Sequence, residues 1–202
     1  MSHIHTAFLR GKKVSLRAVD DSEIPLMADL INDPDVYLNL LLSEPNREHD
    51  TRSFVEKMTK ADDAQLFAIC GHDDRWLGMT GLHNINWLNR NSTSGLWIGR
   101  PEDRGKGYAT DAKMLLCYHA FCTLNLHRLY TYSYEFNTAS QRFNEKCGYK
   151  IEGRRREHLF RAGRYWDSIE TGLLRDEWLP LWEQYRADDP DIRVPEPVGA
   201  AR

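Results

Sequence analysis

The feature that most constrains the fold is a glycine-rich turn between an apolar segment and a helical pattern, in the stretch IGRPEDRGKGYATDA at residues 98–112. Gly105 and Gly107 lie two apart, and Arg104 and Lys106 alternate with them. A helix N-terminus presents unpaired N–H groups, and glycines let the backbone approach an anion closely. The stretch therefore predicts either an anion site at a helix start or an ordinary solvated turn.

The spacing excludes two common phosphate-binding turns. A P-loop needs Gly-x-x-x-x-Gly-Lys-Ser/Thr, which is absent, and a dinucleotide fingerprint needs a third glycine where Thr110 stands. A pyrophosphate remains the natural guest of a turn with two glycines and two cations.

Around this turn, the chain alternates short strands with helices. Period-2 patterns predict strands at 14–19, 64–70, 76–85, 93–99, 127–135, 149–160 and 165–174. Caps and 3.6-residue periodicity predict helices at 20–33, 47–61, 108–124, 137–148 and 175–187. An antiparallel meander that feeds into a βαβ crossover predicts an α/β (α+β) fold with one mixed sheet of about seven strands, flanked by helices.

Length, composition and charge limit the classes of protein to which this chain can belong. With 202 residues and 41% apolar side chains, we expect one domain at 1–188 and a loose Pro-rich tail at 189–202. The net charge of -3 argues against broad nucleic-acid binding. We find no apolar run of about 18 residues and no signal-peptide core, so we expect no membrane partner. Cys70, Cys117, Cys122 and Cys147 form no Cys-x-x-Cys pair, which indicates reduced, mostly buried thiols in the cytoplasm.

The stretch RGKGYA at 104–109 fits the Arg/Gln-x-x-Gly-x-Gly/Ala signature of the GCN5-related N-acetyltransferases. The chain is similar to that family from VSLRAVDDSEIP through NTASQRFNEKCGYKIEG to GRYWDSIETGLL, roughly residues 12–178. It most resembles the branch that acetylates protein N-termini, including those of ribosomal proteins, with polyamine acetyltransferases as near relatives. The resemblance implies acetyl-CoA as co-substrate, an amine acceptor, and a V-shaped gap between strands 93–99 and 127–134. No metal is expected, because no cluster has zinc-ligand spacing.

The same resemblance implies which residues bind the coenzyme. Backbone groups at the end of the strand before the turn would bond the pantetheine arm like an added strand: Ile98, Gly99 and Arg100. Backbone N–H groups of the turn would hold the pyrophosphate: Arg104, Gly105, Lys106, Gly107, Tyr108, Ala109 and Thr110. Asn137 matches the family's asparagine that contacts the coenzyme, and Phe143 faces the same groove.

The family's usual proton donor is missing. Many relatives have a Tyr at the position that matches Phe143 in this chain, and phenylalanine has no hydroxyl. Ser140 lies one helical turn earlier, and NTAS resembles the ribosomal-protein branch, where a Ser is thought to act as the acid. Ser140 is therefore either the acid for the leaving thiolate or a helix residue bonded to nearby backbone.

The general base is left open among four alternatives. Glu102, just before the pyrophosphate turn, is either a base or a residue that caps the turn or neutralises Arg104. The position at which the ribosomal-protein branch is thought to have its acidic base is occupied by Leu159 here, and Glu157 lies two residues back on the same strand face. His83, on the second strand of the meander, is either a base or a satisfied strand histidine. A water chain to bulk solvent is the fourth alternative. Trp87, Trp97, Tyr134 and Trp166 either line an acceptor pocket or belong to the core.

Two functions from different classes follow. The first is an acetyl-CoA-dependent N-acetyltransferase that acts on a protein N-terminus, a polyamine or a drug amine. The acidic stretches DDSE and DPD near the first helix rank no acceptor, since they also fit helix caps. The second is a catalytically weak protein that binds coenzyme A as a sensor or interaction partner, which the missing Tyr keeps open. A homodimer is left open for either function.

Overall fold

Alternating apolar side chains build one mixed sheet of eight strands in the computed structural model, which describes residues 6–40 and 42–195. The strands are β1 Leu9–Arg10, β2 Val14–Arg17, β3 Gln65–Gly71, β4 Trp76–Asn86, β5 Asn91–Ile98, β6 Arg128–Tyr134, β7 Lys150–Arg161 and β8 Arg164–Leu174. The helices are α1 Ile24–Ile31, α2 Pro34–Tyr37, α3 Glu48–Lys60, α4 Tyr108–Tyr118, α5 Thr138–Lys146 and α6 Arg175–Ala187.

The sheet splits where its one parallel pair begins to diverge. Its strand order is β1-β2-β3-β4-β5-β6-β8-β7, and every neighbouring pair is antiparallel except β5 and β6. These two strands pair only at 91–93 against 128–130, and the last partners are Thr93 and Tyr130. We call the gap beyond this pair the fork. The predicted V-split between 93–99 and 127–134 is confirmed.

Three details differ from the prediction. The sheet has eight strands rather than seven because β1 pairs with β2, and its two residues are too few to show an alternating pattern. The four-residue α2 follows Asp33, whose side chain accepts a bond from the N–H of Asp35 and caps the helix. The long helix predicted at 108–124 ends in a five-residue π-helical turn, His119–Thr123.

Capping residues set the other helix boundaries. Pro25 lies in the first turn of α1, where a missing N–H costs nothing. Asn137 Oδ1 accepts from the N–H of Ser140 at 3.1 Å and begins α5, and Gly148, with φ +93°, follows the end of that helix. Both caps of α5 were predicted from the sequence.

Helices cover the two faces of the sheet with separate apolar clusters. On one face, Met27 of α1 and Val55 of α3 pack against Ala68 and Met79 of the meander. On the other face, α4 and α6 bury a larger cluster, in which the rings of Trp178 and Trp182 stack at 5.3 Å. Three of the four free cysteines are buried and Cys122 is exposed, as predicted.

A segment after α6 also pairs with the edge of the sheet. Arg193 exchanges two backbone hydrogen bonds with Arg10 of β1, both 2.9 Å, so part of the segment predicted to be loose pairs with the sheet. The remainder of that segment, 196–202, lies outside the described residues. Over 6–40 and 42–195, no helix combines the length and apolarity that a membrane crossing requires.

Candidate active site

The glycine-rich turn leads directly into α4. Gly105 and Gly107 have φ +74° and +86°, the left-handed region that favours glycine. Gly107 is the N-cap of α4 and has no side chain to cap it, so the N–H groups of the first helical turn have no side-chain cap. A Cβ on Gly105 would meet nothing within 4 Å, which leaves the outer side of the turn open. The turn therefore presents free backbone donors at the positive end of an eleven-residue helix.

A buried carboxylate, that of Asp103, anchors the residues just before this turn. Asp103 is 2% exposed and accepts two bonds from the Arg75 guanidinium, at 2.7 and 2.9 Å. These bonds hold the pKa of Asp103 below its ordinary value, and Lys106 Nζ adds a contact at 3.5 Å. The turn is thereby fixed before any ligand arrives.

Cations surround the turn, and one of them was not predicted. Arg104 donates to the carbonyl of Gly99 at 3.2 Å. Lys13 Nζ donates to the carbonyl of Lys106 at 2.7 Å and lies 3.1 Å from where a Cβ on Gly107 would stand. Sequence reasoning missed Lys13 because it lies 93 positions before its partner and only the fold brings it there.

Asp111, in the first turn of α4, ties the helix start to β2. Its carboxylate accepts from the backbone N–H groups of Lys13 at 2.8 Å and Val14 at 3.0 Å, and from the Tyr185 hydroxyl at 2.5 Å. A Cβ on Gly11 would come within 2.6 Å of this carboxylate, so the close approach requires glycine. Asp111 is thus a structural brace that holds Lys13 beside the turn.

The walls of the fork offer backbone groups to an extended ligand. A Cβ on Gly78 of β4 would collide with the Trp97 carbonyl oxygen, so that carbonyl points toward β4. Because backbone direction alternates along a strand, the polar groups of Leu96 and Ile98 point into the fork, where β6 no longer pairs. The N–H of Gly99 already donates to the carbonyl of Leu77 at 2.9 Å. Of the predicted arm-binding residues, Ile98 thus has free groups, whereas both polar groups of Gly99 are engaged.

A cavity of about 350 Å³ opens at the mouth of the fork, and its lining includes two of the predicted coenzyme residues. Arg104 comes to it from the turn, and Asn137 comes from the start of α5. Its lining is Pro34, Asp35, Leu38, Asn39, Arg104, Phe136, Asn137, Thr138 and Ala139. A larger cavity of about 920 Å³ lies elsewhere, against β3 and His119, and its lining includes none of the predicted site residues.

Helix α5 carries the candidate acid. Ser140 Oγ accepts from Asn144 Nδ2 at 3.4 Å, and among the described residues no acceptor for the Ser140 proton lies within hydrogen-bond distance. Asn144 is 3% exposed, and its Oδ1 has no partner in the part of the chain that the structure describes. Sequence reasoning missed Asn144, although an asparagine beside the apolar Phe143 on a short helix was the available signal.

The two candidate bases lie in different places. His83 is the partner of Thr93, the last residue of β5 that pairs with β6, and Gly95 leaves room for its ring: a Cβ there would be 3.1 Å from Nε2. Burial, and then the charge of Lys113, lower the pKa of His83, which favours its neutral form. Glu157 is exposed on the outermost strand, in a bulge with φ +50°. The structure thus brings His83, but not Glu157, to the fork.

Aromatic side chains stand beside the mouth of the fork. Phe136 lies 4.9 Å from Tyr134 and 4.7 Å from Trp166 between ring centroids. Arg161 lies over Tyr134 and donates to the carbonyl of Leu40 at 2.6 Å, which ties the β7–β8 hairpin to the segment after α2. Tyr134 and Trp166 therefore form part of the wall near the mouth.

The other two predicted aromatics are elsewhere. Trp97 packs against Trp76 at 5.5 Å, with the cluster beneath α1 and α3. Trp87 is 50% exposed in the β4–β5 connection and donates to the carbonyl of Asp62.

The acidic stretches near α1 serve local structure. Asp20 caps a short 3-10 turn, and Asp33 caps α2. Glu23 pairs with the buried Arg17 at 2.6 Å. These carboxylates are engaged locally, which agrees with the interpretation of DDSE and DPD as caps and turns.

Comparison with known proteins gives a family match over most of the chain. The family model described as "Acetyltransferase (GNAT) domain" matches residues 13–150. The SPbeta prophage-derived N-acetyltransferase YokL of Bacillus subtilis is 29% identical over 170 residues, 83% of this chain and 93% of YokL. YdaF of the same organism, provisionally named a ribosomal N-acetyltransferase, is 35% identical over 107 residues, 53% of this chain and 58% of YdaF.

Solved structures share the same fold. The spermidine N-acetyltransferase of Vibrio cholerae, in complex with CoA and spermine, superposes with a TM-score of 0.77 at 23% identity, over 82% of this chain and 98% of that chain. Another structure of that enzyme is dodecameric. At this level of identity, the likeness shows the fold.

Proposed function

This chain belongs to the GNAT acetyltransferase family, and on that premise we propose that it transfers an acetyl group from acetyl-CoA to a primary amine at the fork between β5 and β6. The observation that carries the proposal is the clustering of three features around the ends of β5 and β6. These are the uncapped helix donors at Gly107, the cavity lined by Arg104 and Asn137, and the fork, where β5 no longer pairs with β6.

The residues of the groove suit the parts of the co-substrate. Acetyl-CoA supplies the activated acetyl group when bound. The turn at 104–110 would hold the pyrophosphate through backbone N–H groups, with Lys13 as an added cation. Backbone groups of Leu96 and Ile98 would bond the pantetheine amides as a neighbouring strand does, and the open side of Gly105 leaves room for phosphate oxygens.

The proton of the reaction needs an acceptor and a donor near the fork. His83 fits the acceptor, because its lowered pKa keeps Nε2 free to take a proton from the attacking amine. Ser140 fits the donor, since its hydroxyl proton has no acceptor among the described residues. We retain Glu157 only as a control for this assignment.

The acceptor is proposed as a primary amine on a protein N-terminus or a small molecule. Asp20, Glu23 and Asp33 are occupied by caps and an ion pair, so they do not by themselves favour a polycation. The aromatic wall at Phe136 and Trp166 suits an acceptor with apolar surface beside its amine.

The proposal also includes the extent of the catalytic domain, the cellular compartment and self-association. The catalytic domain spans residues 1–188, and the four free cysteines agree with a cytoplasmic protein. Self-association, as a homodimer or a larger assembly, is suggested by the dodecameric V. cholerae relative.

The test is a thiol-release assay with acetyl-CoA and a panel of amines, run beside calorimetry with acetyl-CoA alone. The panel contains peptides with a free α-amine, the same peptides with a blocked α-amine, spermidine, and a lysine ε-amine. We expect coenzyme binding and turnover of at least one amine. Binding without turnover of any acceptor would instead support a coenzyme-binding sensor, and an absence of coenzyme binding would contradict both functions.

A further inference from the structure

A lysine lies in the core directly below the point where the fork opens. Lys113, on α4, is 1% exposed, and its Nζ donates to Ser94 Oγ at 2.8 Å. Ser94 directly follows Thr93, the last residue of β5 that pairs with β6, and its hydroxyl also lies 3.5 Å from the carbonyl of Tyr130. The amine is therefore fixed beside the point where β5 and β6 stop pairing, which we call the closed end of the fork.

The surroundings of this amine contain rings, hydroxyls and thiols. The ring centroid of Tyr149 is 5.1 Å from Nζ, and that of Phe143 is 6.0 Å away. The Tyr149 hydroxyl shares Ser94 Oγ at 2.8 Å. Among the described residues, no carboxylate forms an ion pair with Lys113, although fifteen such pairs occur elsewhere in that part of the chain.

None of the titratable neighbours supplies a negative charge. Burial raises the pKa of Cys117, on the same helix, to about 12, and it raises the pKa of Cys147 and Tyr149 as well. His83 approaches from β4 and carries no negative charge in either protonation state. An ammonium buried alone is costly, so burial lowers the pKa of Lys113 and favours the uncharged amine.

We infer that Lys113 is the counter-ion of the coenzyme sulfur, which it stabilises as a thiolate at the closed end of the fork. The inference rests on the proposed function, since it needs the pantetheine arm in the fork. When free coenzyme A is bound, its S–H bond breaks, an N–H bond forms at Lys113 Nζ, and no electrons change hands. Thiolate and ammonium appear together, so neither charge is buried without a partner.

The same contact acts during acetyl transfer. Negative charge develops on the sulfur as its bond to the acetyl carbon breaks, and the N–H groups of Lys113, held in a dry site, can donate to that charge. Ser94 and Tyr149 keep Nζ in place before the coenzyme arrives. The lysine would thus discriminate a coenzyme that carries a sulfur from one that does not.

Calorimetry with two coenzymes tests this inference without relying on turnover. Coenzyme A is compared with desulfo-coenzyme A, in which hydrogen replaces the thiol, on the parent, Lys113→Met and Lys60→Met proteins. Lys60 is an exposed lysine of α3 and serves as the matched control. We expect the parent and Lys60→Met to prefer coenzyme A by about tenfold, and Lys113→Met to bind both coenzymes equally.

Ultraviolet difference absorption gives a second readout on the parent protein alone. A thiolate band should appear when coenzyme A binds at neutral pH, and it should be absent with desulfo-coenzyme A. If the parent binds both coenzymes equally and shows no thiolate band, the inference is wrong while the proposed function stands. If neither coenzyme binds the parent, the proposed function fails and the inference fails with it.

Discussion

The two ends of the groove both lie along helix α4, but their lysines are in opposite environments, exposed to solvent at one end and buried at the other. At the start of α4, exposed Lys106 and the nearby Lys13 surround free backbone donors. Six residues after the N-cap Gly107, or about 9 Å along the helix axis, Lys113 is buried and bonded to Ser94. Solvent stabilises the charges at the first end, whereas burial suppresses the charge at the second.

The comparison shows that exposure, rather than residue type, decides what a lysine does here. A hydrated ammonium is ready to attract a pyrophosphate, which arrives with its charge. A buried amine is ready to take a proton, which suits a group whose charge appears only after binding. The following predictions break or sharpen this contrast between the open end and the closed end.

The largest effect is expected at the open end, from Gly107→Glu. The substitution forces a side chain into φ +86° and places a carboxylate among the anion donors beside Lys13. We expect coenzyme A affinity to fall about a hundredfold, or about 2.7 kcal/mol, by calorimetry. Gly163→Glu, at φ +81° in the β7–β8 turn, is the matched control for backbone strain and charge. Equal loss in both variants would show that the strain, and not the anion site, is responsible.

A smaller effect is expected from Ser140→Ala, on α5. Removing the hydroxyl should lower kcat about thirtyfold, or about 2 kcal/mol, because the leaving sulfur loses a proton donor. Coenzyme affinity should stay within twofold of the parent. Ser140→Thr keeps the hydroxyl and should recover most of the rate. A Ser140→Ala protein as fast as the parent on the true acceptor would remove Ser140 from the mechanism.

His83→Gln should lower kcat/KM about tenfold, less than the usual loss of about 10²–10⁴ for a general base, because water remains as an alternative proton acceptor. A base must be neutral, so the activity of the parent should fall as pH drops through the lowered pKa of His83, and this acid limb should vanish in the variant. Glu157→Gln should stay within twofold of the parent. A pH–rate profile of all three proteins measures both effects, and a larger loss in Glu157→Gln would reverse the assignment.

The smallest effect concerns stability. Lys113 has a pKa below its ordinary 10.5 in the folded protein, so the unfolded chain binds more protons between the folded and unfolded pKa values, and the lysine lowers stability most at pH values below both. This penalty shrinks as pH rises toward the unfolded pKa. Lys113→Met should therefore melt about 2–4 °C higher than the parent near pH 7, with a gap that closes by about pH 10. A variant that melts lower across this range would mean that the lysine stabilises the fold.

Part of this groove was predictable because local sequence determines it. Positive φ at Gly105 and Gly107 and the cap at Asn137 are local properties that residue type reports directly. The fork was expected from the resemblance to the GNAT family, read together with the order of strands around one crossover helix. The short strand β1 could not be predicted, because two residues carry no period.

The residues that sequence reasoning missed depend on long-range packing. Lys13 reaches the turn only because Asp111 ties β2 to α4. Lys113 lies in a helix that is buried on every side from 111 to 118, so periodicity cannot tell which of its faces meets the fork. Asn144 was hidden for a similar reason, since its burial depends on how α5 packs against α4.

The outermost strand has a consequence for how copies of the chain meet. A strand at the border of a sheet offers its unpaired backbone groups to another molecule and so seeds aggregation. In β7, three consecutive arginines, 154–156, precede a bulge at Glu157 that breaks the ladder between Arg155 and Leu159. Arg154 and Arg155 are paired with carboxylates of their own chain, so what a second copy approaching this border meets is an interrupted row of donors. This border is therefore poorly suited to pairing with a second sheet, and the long hairpin stays with its own sheet.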